Sequence, residues 1–402
     1  MALYKYVGRT RQGKMKKGTV EAINKAKAVV KLREMGISPR EITEARGILY
    51  QEVTLGNPVK QQDFVIYCRQ FATLIRSGIS IVDATNILAR QTESKMLAKV
   101  LSAVEERLRS GVAFSEAIAE HPKVFPAIFV NMVRAGEMTG NLDGTLDRLA
   151  SYLEKQYNLK KKIQSTMAYP IVLLIVIIAV ATFLMLTIVP NFESMFASLG
   201  SELPAITKFV LNVSNFLQQS WLILSFLVIA MVIIFQFLMR TNETFNYQVH
   251  VALLKMPVFG KLLQKSAIAR MARTLSSMVS SSVPILQALT MVEKVVGNPV
   301  LGKVIIEARD HLEQGDRLSE PMKKSWLIPP LVSQMIAIGE ETGQLAFMLA
   351  KIADFYEEEV DRTVDTLKSL IEPIMIIILA VIVGTIILAI MIPMFTYYQH
   401  AI

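Results

Sequence analysis

The clearest chemical signature in the chain is a near-match to a phosphate-binding loop at residues 297–303. Gly297, Gly302 and Lys303 have the spacing of a Walker A motif, but Val304 stands where a working loop needs Ser or Thr to hold magnesium. Such a loop also follows a β-strand, whereas the apolar residues before Gly297 have helical spacing. We therefore predict a turn between two helices here, and no nucleotide-binding site.

Histidines and carboxylates provide no better candidate for catalysis or metal binding. The four histidines, at positions 121, 250, 311 and 400, are far apart, and none has a partner at metal-ligand spacing. An acidic run at residues 357–359 is typical of a solvated helix face, although a cation site there stays open. The sequence thus predicts a protein that is not an enzyme, with no catalytic residue, cofactor or metal.

The sharpest local signal is a Gly-Glu-x-Thr-Gly turn that occurs twice. Its residues are Gly136, Glu137, Thr139 and Gly140 in the first copy, and Gly339, Glu340, Thr342 and Gly343 in the second. One interpretation gives the first glycine a positive φ at a helix end and makes the threonine a loop or capping residue. The glutamate fits less well, since a helix C-terminus repels a carboxylate without a specific donor. Two alternatives stay open, an architectural turn and a contact with a partner protein.

The two turns belong to a longer internal repeat. They are 203 residues apart, and further upstream the offset becomes 204, which pairs Arg69 with Arg273. Apolar residues at three- and four-residue spacing predict about six helices in the first copy. Short helices joined by glycine-containing turns indicate compact antiparallel bundles, at residues 63–167 and again at 267–370.

Three stretches lack Asp, Glu, Lys and Arg for about the length of a bilayer core. They are apolar on nearly every face, unlike the amphipathic helices of soluble proteins. We predict transmembrane helices at residues 169–190, 221–239 and 373–393, and an extracytoplasmic amphipathic segment at residues 191–220. The predicted fold class is therefore mostly α, with two homologous helical bundles in the cytoplasm and three transmembrane helices.

Lysines and arginines near the span ends predict the orientation, because these residues stay on the cytoplasmic side during insertion. Four lysines lie between residues 155 and 162, before the first span, whereas Lys208 is the only basic residue of the segment that follows it. The sequence predicts a cytoplasmic N-terminus and an extracytoplasmic C-terminus.

Residues 1–55 differ in kind from the rest of the chain. Residues 1–60 contain 13 Lys and Arg against 5 Asp and Glu, and so carry most of the net charge of +9. A turn at residues 12–13 predicts a short hairpin, and residues 26–35 predict a helix that ends at Gly36. We expect a small N-terminal α+β module whose basic surface meets anionic lipid or an acidic protein. No zinc spacing or ribonucleoprotein motif accompanies it, so direct nucleic-acid binding is not predicted.

Two helical domains, each with a Gly-Glu-x-Thr-Gly turn and a following membrane helix, resemble the type II secretion system protein F family. The resemblance covers nearly the whole chain, including residues 63–81 with Arg69 and Gly78. The second copy departs from the pattern in carrying Ser282 at the position of Gly78.

This resemblance implies a multi-pass protein of the inner membrane that acts as the platform of a type IV pilus or type II secretion machine. Such a platform contacts a hexameric cytoplasmic assembly ATPase and helps to raise pilin or pseudopilin subunits from the lipid bilayer into a filament. The resemblance also implies other inner-membrane assembly proteins as partners, and self-association into a homo-oligomer.

The alternative function is a small-molecule membrane transporter. Transport paths usually carry ionisable groups, whereas the predicted spans contain none, and Gln236 is their only strongly polar side chain. A membrane-bound ATPase ranks third, since only the near-match at residues 297–303 supports it. The kind of filament, the oligomeric number and the surfaces that contact the ATPase stay open.

Overall fold

In a computed structural model, the chain divides into two compact units, Met1–Pro58 and Val59–Ile402. The structure describes residues 2–10, 15–22, 25, 29, 32–33, 36–44, 59–188, 190, 205–257 and 259–401.

The first unit contains a three-stranded antiparallel sheet. Strand β1 (Ala2–Thr10) lies between β2 (Met15–Ala22) and β3 (Ile37–Glu44). The buried side chains of this unit form one small cluster, which consists of Tyr4, Tyr6, Leu32, Ile37 and Ile42. This sheet is the β part of the predicted N-terminal module.

The β1–β2 hairpin confirms the prediction, whereas β3 was not predicted. Ile37 and Ile42 are five residues apart, which conflicts with the alternation of a regular strand. A bulge leaves Arg40 without a partner in β1, and this extra residue lets both isoleucines reach the buried side. The predicted turn at residues 12–13 and most of the helix predicted over residues 26–35 lie outside the described residues.

The second unit begins with a bundle of six helices. They are α1 (Gln61–Arg76), α2 (Ile81–Gln91), α3 (Lys95–Arg109), α4 (Phe114–Ala119), α5 (Ala127–Thr139) and α6 (Leu142–Phe183). Ser80 and Ser94 accept hydrogen bonds from backbone N–H groups in the first turns of α2 and α3, which defines where these helices start. Four phenylalanines are almost completely buried at the centre, namely Phe71, Phe114, Phe125 and Phe129.

Two helices connect the bundles. Helix α7 (Ala205–Thr241) is continuous over 37 residues, and α8 (Glu243–Lys255) follows it. The segment predicted as a separate amphipathic element is thus, from residue 205 onwards, the first part of α7. Residues 191–204 lie outside the part that the structure describes.

The second bundle repeats the six helices in the same order. They are α9 (Phe259–Ser280), α10 (Ile285–Val296), α11 (Pro299–Glu313), α12 (Ser319–Lys324), α13 (Pro330–Thr342) and α14 (Leu345–Ala401). Ser282 has a φ of 62°, in the left-handed region that Gly78 also occupies at 85°. The turn is therefore the same in both copies, although a serine adopts it in the second. This helix order confirms the duplicated, mostly α fold.

Within the described residues, three helical stretches are long and apolar enough to cross a membrane, namely Leu142–Thr187, Leu222–Thr241 and Leu345–Ala389. The first and third are not separate elements, because α6 and α14 run without a break from a bundle into a span. After α6 the chain forms a π-helical turn, Leu184–Ile188. The hydroxyls of Thr207 and Ser214 in α7 donate to the carbonyls of Ala389 and Met185, at 2.7 and 2.6 Å. These bonds join the first part of α7 to the far ends of the other two spans.

Candidate functional site

The two Gly-Glu-x-Thr-Gly turns end α5 and α13 and lead directly into the long helices α6 and α14. The residue with positive φ is the last glycine of each turn, Gly140 at 69° and Gly343 at 67°. Glycine is favoured here because a left-handed residue commonly ends a helix. Our interpretation that the first glycine has this role is wrong, since Gly136 and Gly339 lie inside α5 and α13.

The first glycine instead lets two helices approach closely. A Cβ built at Gly136 would lie 2.9 Å from the Cβ of Thr145 in α6. At Gly339 it would lie 2.9 Å from the Cα of Leu345 in α14. Only a residue without a side chain fits at this approach.

The threonines also differ from the expected loop or capping role. Thr139 and Thr342 are the last residues of α5 and α13. Their hydroxyls donate backwards to the carbonyls of Ala135 and Ile338, four residues earlier, at 2.9 and 2.7 Å. They therefore close the helix that is ending and do not cap the one that follows.

Glu137 has a specific pair of donors that the sequence did not reveal. Its Oε1 accepts a hydrogen bond from the backbone N–H of Phe114 at 2.8 Å, and its Oε2 accepts from the N–H of Ser115 at 3.2 Å. These N–H groups begin α4, where they have no partner within the helix. A carboxylate is also favoured at this end of a helix by the helix dipole.

The second copy repeats this contact. Glu340 accepts from the backbone N–H groups of Leu318 and Ser319, at 2.5 and 3.1 Å, at the start of α12. Each glutamate thus caps a short helix that lies more than 20 residues earlier in the chain. The carboxylate, placed near the C-terminus of its own helix, is stabilised by the N-terminus of another.

A second repeated contact joins the first helix of each bundle to the long helix. Arg69 of α1 donates to both carboxylate oxygens of Glu154 in α6, at 2.7 and 2.5 Å. Arg273 of α9 donates in the same way to Glu357 in α14, at 2.7 and 2.8 Å. The hydrogen bond from Arg69 holds the pKa of Glu154 below its usual value. The repeat offset of 203 also pairs the two glutamates, a signal from which sequence reasoning could have found this contact.

The acidic run before the third span is not simply a solvated face. Glu357 is paired with Arg273, and Glu359 lies 2.8 Å from the Nζ of Lys265. The hydrogen bond from Lys265 lowers the pKa of Glu359. Of the three glutamates in this run, only Glu358, whose side chain is 71% exposed, fits the prediction of a solvated helix face. No group of three or more His, Cys, Asp or Glu side chains arranged to hold a metal ion occurs among the described residues.

The two copies are joined along their long helices. Lys155 and Lys162 of α6 lie 3.0 and 2.8 Å from carboxylate oxygens of Asp354 and Asp361 in α14. Because both pairs increase in residue number together, α6 and α14 run in the same direction. These helices continue into the first and third spans, so the two bundles and two spans form a connected unit.

The near-match to a phosphate-binding loop is a turn between helices, as predicted. Gly297 ends α10 with a φ of 67°, and the side chain of Asn298 caps α11 by accepting from the N–H groups of Val300 and Leu301. The turn borders an open cleft of about 790 Å³ between α8, α10 and α11. The residues that lead directly into the turn form the helix α10, and not the β-strand that a phosphate-binding loop requires.

Comparison with known families identifies both copies. The sequence model for "Type II secretion system (T2SS), protein F" matches residues 67–190 and 271–393, and that for the N-terminal domain of the same protein matches residues 1–43. The chain belongs to the type II secretion system protein F family. The two matches to the first model are the two copies of the repeat, each with its following span.

Curated relatives cover almost the full length of the chain. "Type IV pilus assembly protein PilC" of Thermus thermophilus is 41% identical over 399 residues, which is 98% of both chains. The PilC of Myxococcus xanthus is 37% identical over 98% of this chain and 95% of its own. "Type II secretion system protein F" of Vibrio cholerae is 31% identical over 98% of both chains. The resemblance inferred from the sequence is therefore confirmed.

Proposed function

We propose that the chain is the inner-membrane platform of a type IV pilus or type II secretion machine. In this role it couples a cytoplasmic assembly ATPase to the extraction of pilin or pseudopilin subunits into a filament. The relatives' names support membership of such a machine. The observation that carries the coupling is that each bundle shares one unbroken helix with a membrane span.

The long helices suit the transmission of movement. From Leu142 to the predicted span, α6 covers 27 residues, or about 40 Å at 1.5 Å per residue. Arg69 attaches this helix to its own bundle, and Lys155 and Lys162 attach it to α14 of the other bundle. A displacement imposed on either bundle would therefore move both spans together.

The coupling can be tested without changing the length of α6. Replacing residues 165–167, between the bundle and the first span, by three glycines softens the helix by about 1 kcal/mol per residue relative to three alanines. We expect the glycine variant to reach the membrane in normal amounts but to assemble fewer filaments. The alanine variant is the matched control and should retain filament output. Equal output from the two variants would reject rigid coupling through α6.

The proposed orientation has both bundles in the cytoplasm, the N-terminus inside and the C-terminus outside. It rests on the lysines and arginines at the span ends. Reporter fusions after residues 241 and 400 should report the cytoplasm and the exterior, respectively. The reverse pattern would contradict the orientation.

The proposed platform hydrolyses no nucleotide itself. Val304 in place of a magnesium-binding hydroxyl, and a helix before the glycine turn, support this proposal. ATP hydrolysis by the purified chain that disappears in Lys303→Ala would overturn it. The transporter alternative gains no support from the names of the relatives described above, and an uptake assay in vesicles would test it.

The hexameric ATPase, the pilins or pseudopilins and other inner-membrane assembly proteins are the proposed partners, together with further copies of the chain. For the Gly-Glu-x-Thr-Gly turns, the backbone donors of Glu137 and Glu340 support an architectural role. Met138, which is 83% exposed in the first turn, is then the side chain that a partner would meet. Gly384 in the third span leaves room for a second copy, since a Cβ there would meet nothing within 4 Å among the described residues.

A further inference from the structure

One end of the second bundle lies at the level where the third span begins. Helix α9 runs antiparallel to α14, and Leu262 near its start is buried against Val364 and Leu367. The predicted span begins at residue 373, about 9 Å beyond Leu367 at 1.5 Å per residue. Phe259, at the start of α9, lies closer still to the span. This end of the bundle is therefore at the depth of the lipid headgroups.

Four large apolar side chains are exposed at this end, and together we call them the apolar face. They are Met256 at 45%, Phe259 at 42%, Leu263 at 40% and Trp326 at 56% exposure. The loop that carries Trp326 is held beside α9, because the side chain of Gln264 donates to the carbonyl of Leu327 at 2.7 Å. Soluble surfaces rarely gather such residues unless another apolar phase covers them.

Basic residues surround the apolar face. Lys255 precedes Met256, Lys261 follows Phe259 by two positions, and Lys324 lies two positions before Trp326. Lys255 and Lys261 form no ion pair with a carboxylate in the part of the chain that the structure describes. Lys324 lies near Glu320, but that carboxylate is paired with Lys323, which lowers its pKa more than Lys324 does. Tryptophan and lysine together are typical of a membrane interface, where lysines are attracted to anionic headgroups.

Bundle packing does not require Leu263 and Trp326 to be exposed, because neither has an exposed apolar counterpart in the first copy. At the repeat offsets, Trp326 corresponds to Lys123, and Leu263 corresponds to Val59, which is buried. The two copies share their helix order and their internal contacts. These two residues of the apolar face are thus particular to the second copy, which follows α8.

We propose that the apolar face inserts into the headgroup layer of the membrane leaflet next to the bundles, where the three lysines bind anionic phospholipid. The position of the apolar face at headgroup depth favours lipid over a partner protein, since a protein covering this face would itself have to lie at the bilayer surface. The docking would hold the second bundle against the membrane. The membrane docking follows from the three spans alone and does not depend on the proposed pilus or secretion function.

The chain contains two tryptophans, which allows a direct test. Trp221→Phe leaves Trp326 as the only tryptophan of the full-length chain, which is reconstituted into vesicles of phosphatidylcholine with 30% phosphatidylglycerol and excited where tyrosine does not absorb. Lipids brominated near the headgroup should quench its emission, and the neutral aqueous quencher acrylamide should quench it weakly. The control carries Trp221→Phe, Trp326→Phe and Met138→Trp, with its probe beside the start of α6, about 40 Å from the first span. The control should show the opposite pattern, with acrylamide quenching at least threefold stronger.

Acrylamide quenching of Trp326 as strong as in the control would overturn the proposal. So would protection from acrylamide without quenching by the brominated lipids, because a second copy of the chain would then be the cover. The lysines are tested by Lys255→Gln, Lys261→Gln and Lys324→Gln together. Removing phosphatidylglycerol should weaken quenching by the brominated lipids about twofold in the unmodified background and leave the triple variant unchanged. If lipid charge has no effect in either chain, the anionic-lipid part of the proposal fails.

Discussion

Replacing Glu137 by alanine removes the acceptor of two backbone N–H groups at the start of α4. Phe114 and Ser115, which carry these groups, are 1% and 3% exposed, so water cannot easily take the place of the carboxylate. A hydrogen bond to a charged group contributes about 1.5–3 kcal/mol, and losing a helix cap costs about 0.5–2 kcal/mol. We therefore expect Glu137→Ala to destabilise the first bundle locally by about 2 kcal/mol.

Hydrogen exchange of the purified full-length chain measures this effect where it should occur. A loss of about 2 kcal/mol corresponds to roughly 30-fold faster exchange, at 1.36 kcal/mol per factor of ten. The acceleration should appear in peptides that contain Phe114 and Ser115. Glu137→Gln should have a smaller effect, because its amide oxygen can still accept one hydrogen bond. Met138→Ala, at the neighbouring exposed position, is the control and should leave these peptides unchanged.

Filament output decides between the two roles of the turn. If exchange at Phe114 and Ser115 changes less than twofold in Glu137→Ala while filament assembly falls, the capping argument is refuted and a partner contact explains the turn. If exchange accelerates and assembly falls with it, the glutamate acts through the architecture of the bundle.

Four further predictions concern the arginine–glutamate contacts and two glycines that lie inside helices. Arg273→Met should lower the thermal unfolding midpoint more than Arg69→Met, because the arginine side chains are 11% and 33% exposed; equal losses would contradict this. The pKa of Glu154 is lowered by its hydrogen bond with Arg69, so the stability it contributes is present above the ordinary pKa of about 4.3 and lost as the pH falls below it. A Glu154→Gln chain should lack this acid-dependent part of an unfolding titration. Gly136→Ala should cost about 1–3 kcal/mol, since its Cβ would lie 2.9 Å from a side chain of α6. Gly302→Ala, whose Cβ has no neighbour closer than 3.7 Å, should leave the unfolding midpoint unchanged or raise it.

Features that depend on residues close in sequence, or on comparison of the chain with itself, could be predicted. Helical spacing indicated about six helices in the first bundle, and the offset of 203 to 204 residues indicated that the second has the same order. Uncharged stretches identified the three spans because their length and composition suffice to define them. The turn at residues 297–303 was also predicted, since glycine, asparagine and proline in succession favour a helix end followed by a helix start.

The roles of individual residues in the Gly-Glu-x-Thr-Gly turns depended on distant parts of the chain. Gly136 and Gly140 look alike in sequence, and only the approach of α6 distinguishes a packing glycine from one with positive φ. The donors of Glu137 lie 22 and 23 residues earlier, beyond the reach of helical periodicity. Strand β3 was not predicted, because a bulge interrupts the alternation of buried and exposed side chains along it.

The same limit applies to the charged residues of the long helices. By composition, the acidic run at residues 357–359 is a solvated face, yet Arg273 and Lys265 from α9, more than 80 residues away, bind two of its carboxylates. The sequence by itself determined which segments are helices, which of them cross the membrane, and that the bundle is duplicated, because periodicity and hydrophobicity are local properties. Only the tertiary structure decided which charges are paired and which glycines pack, because those roles depend on side chains that the fold brings together from distant positions.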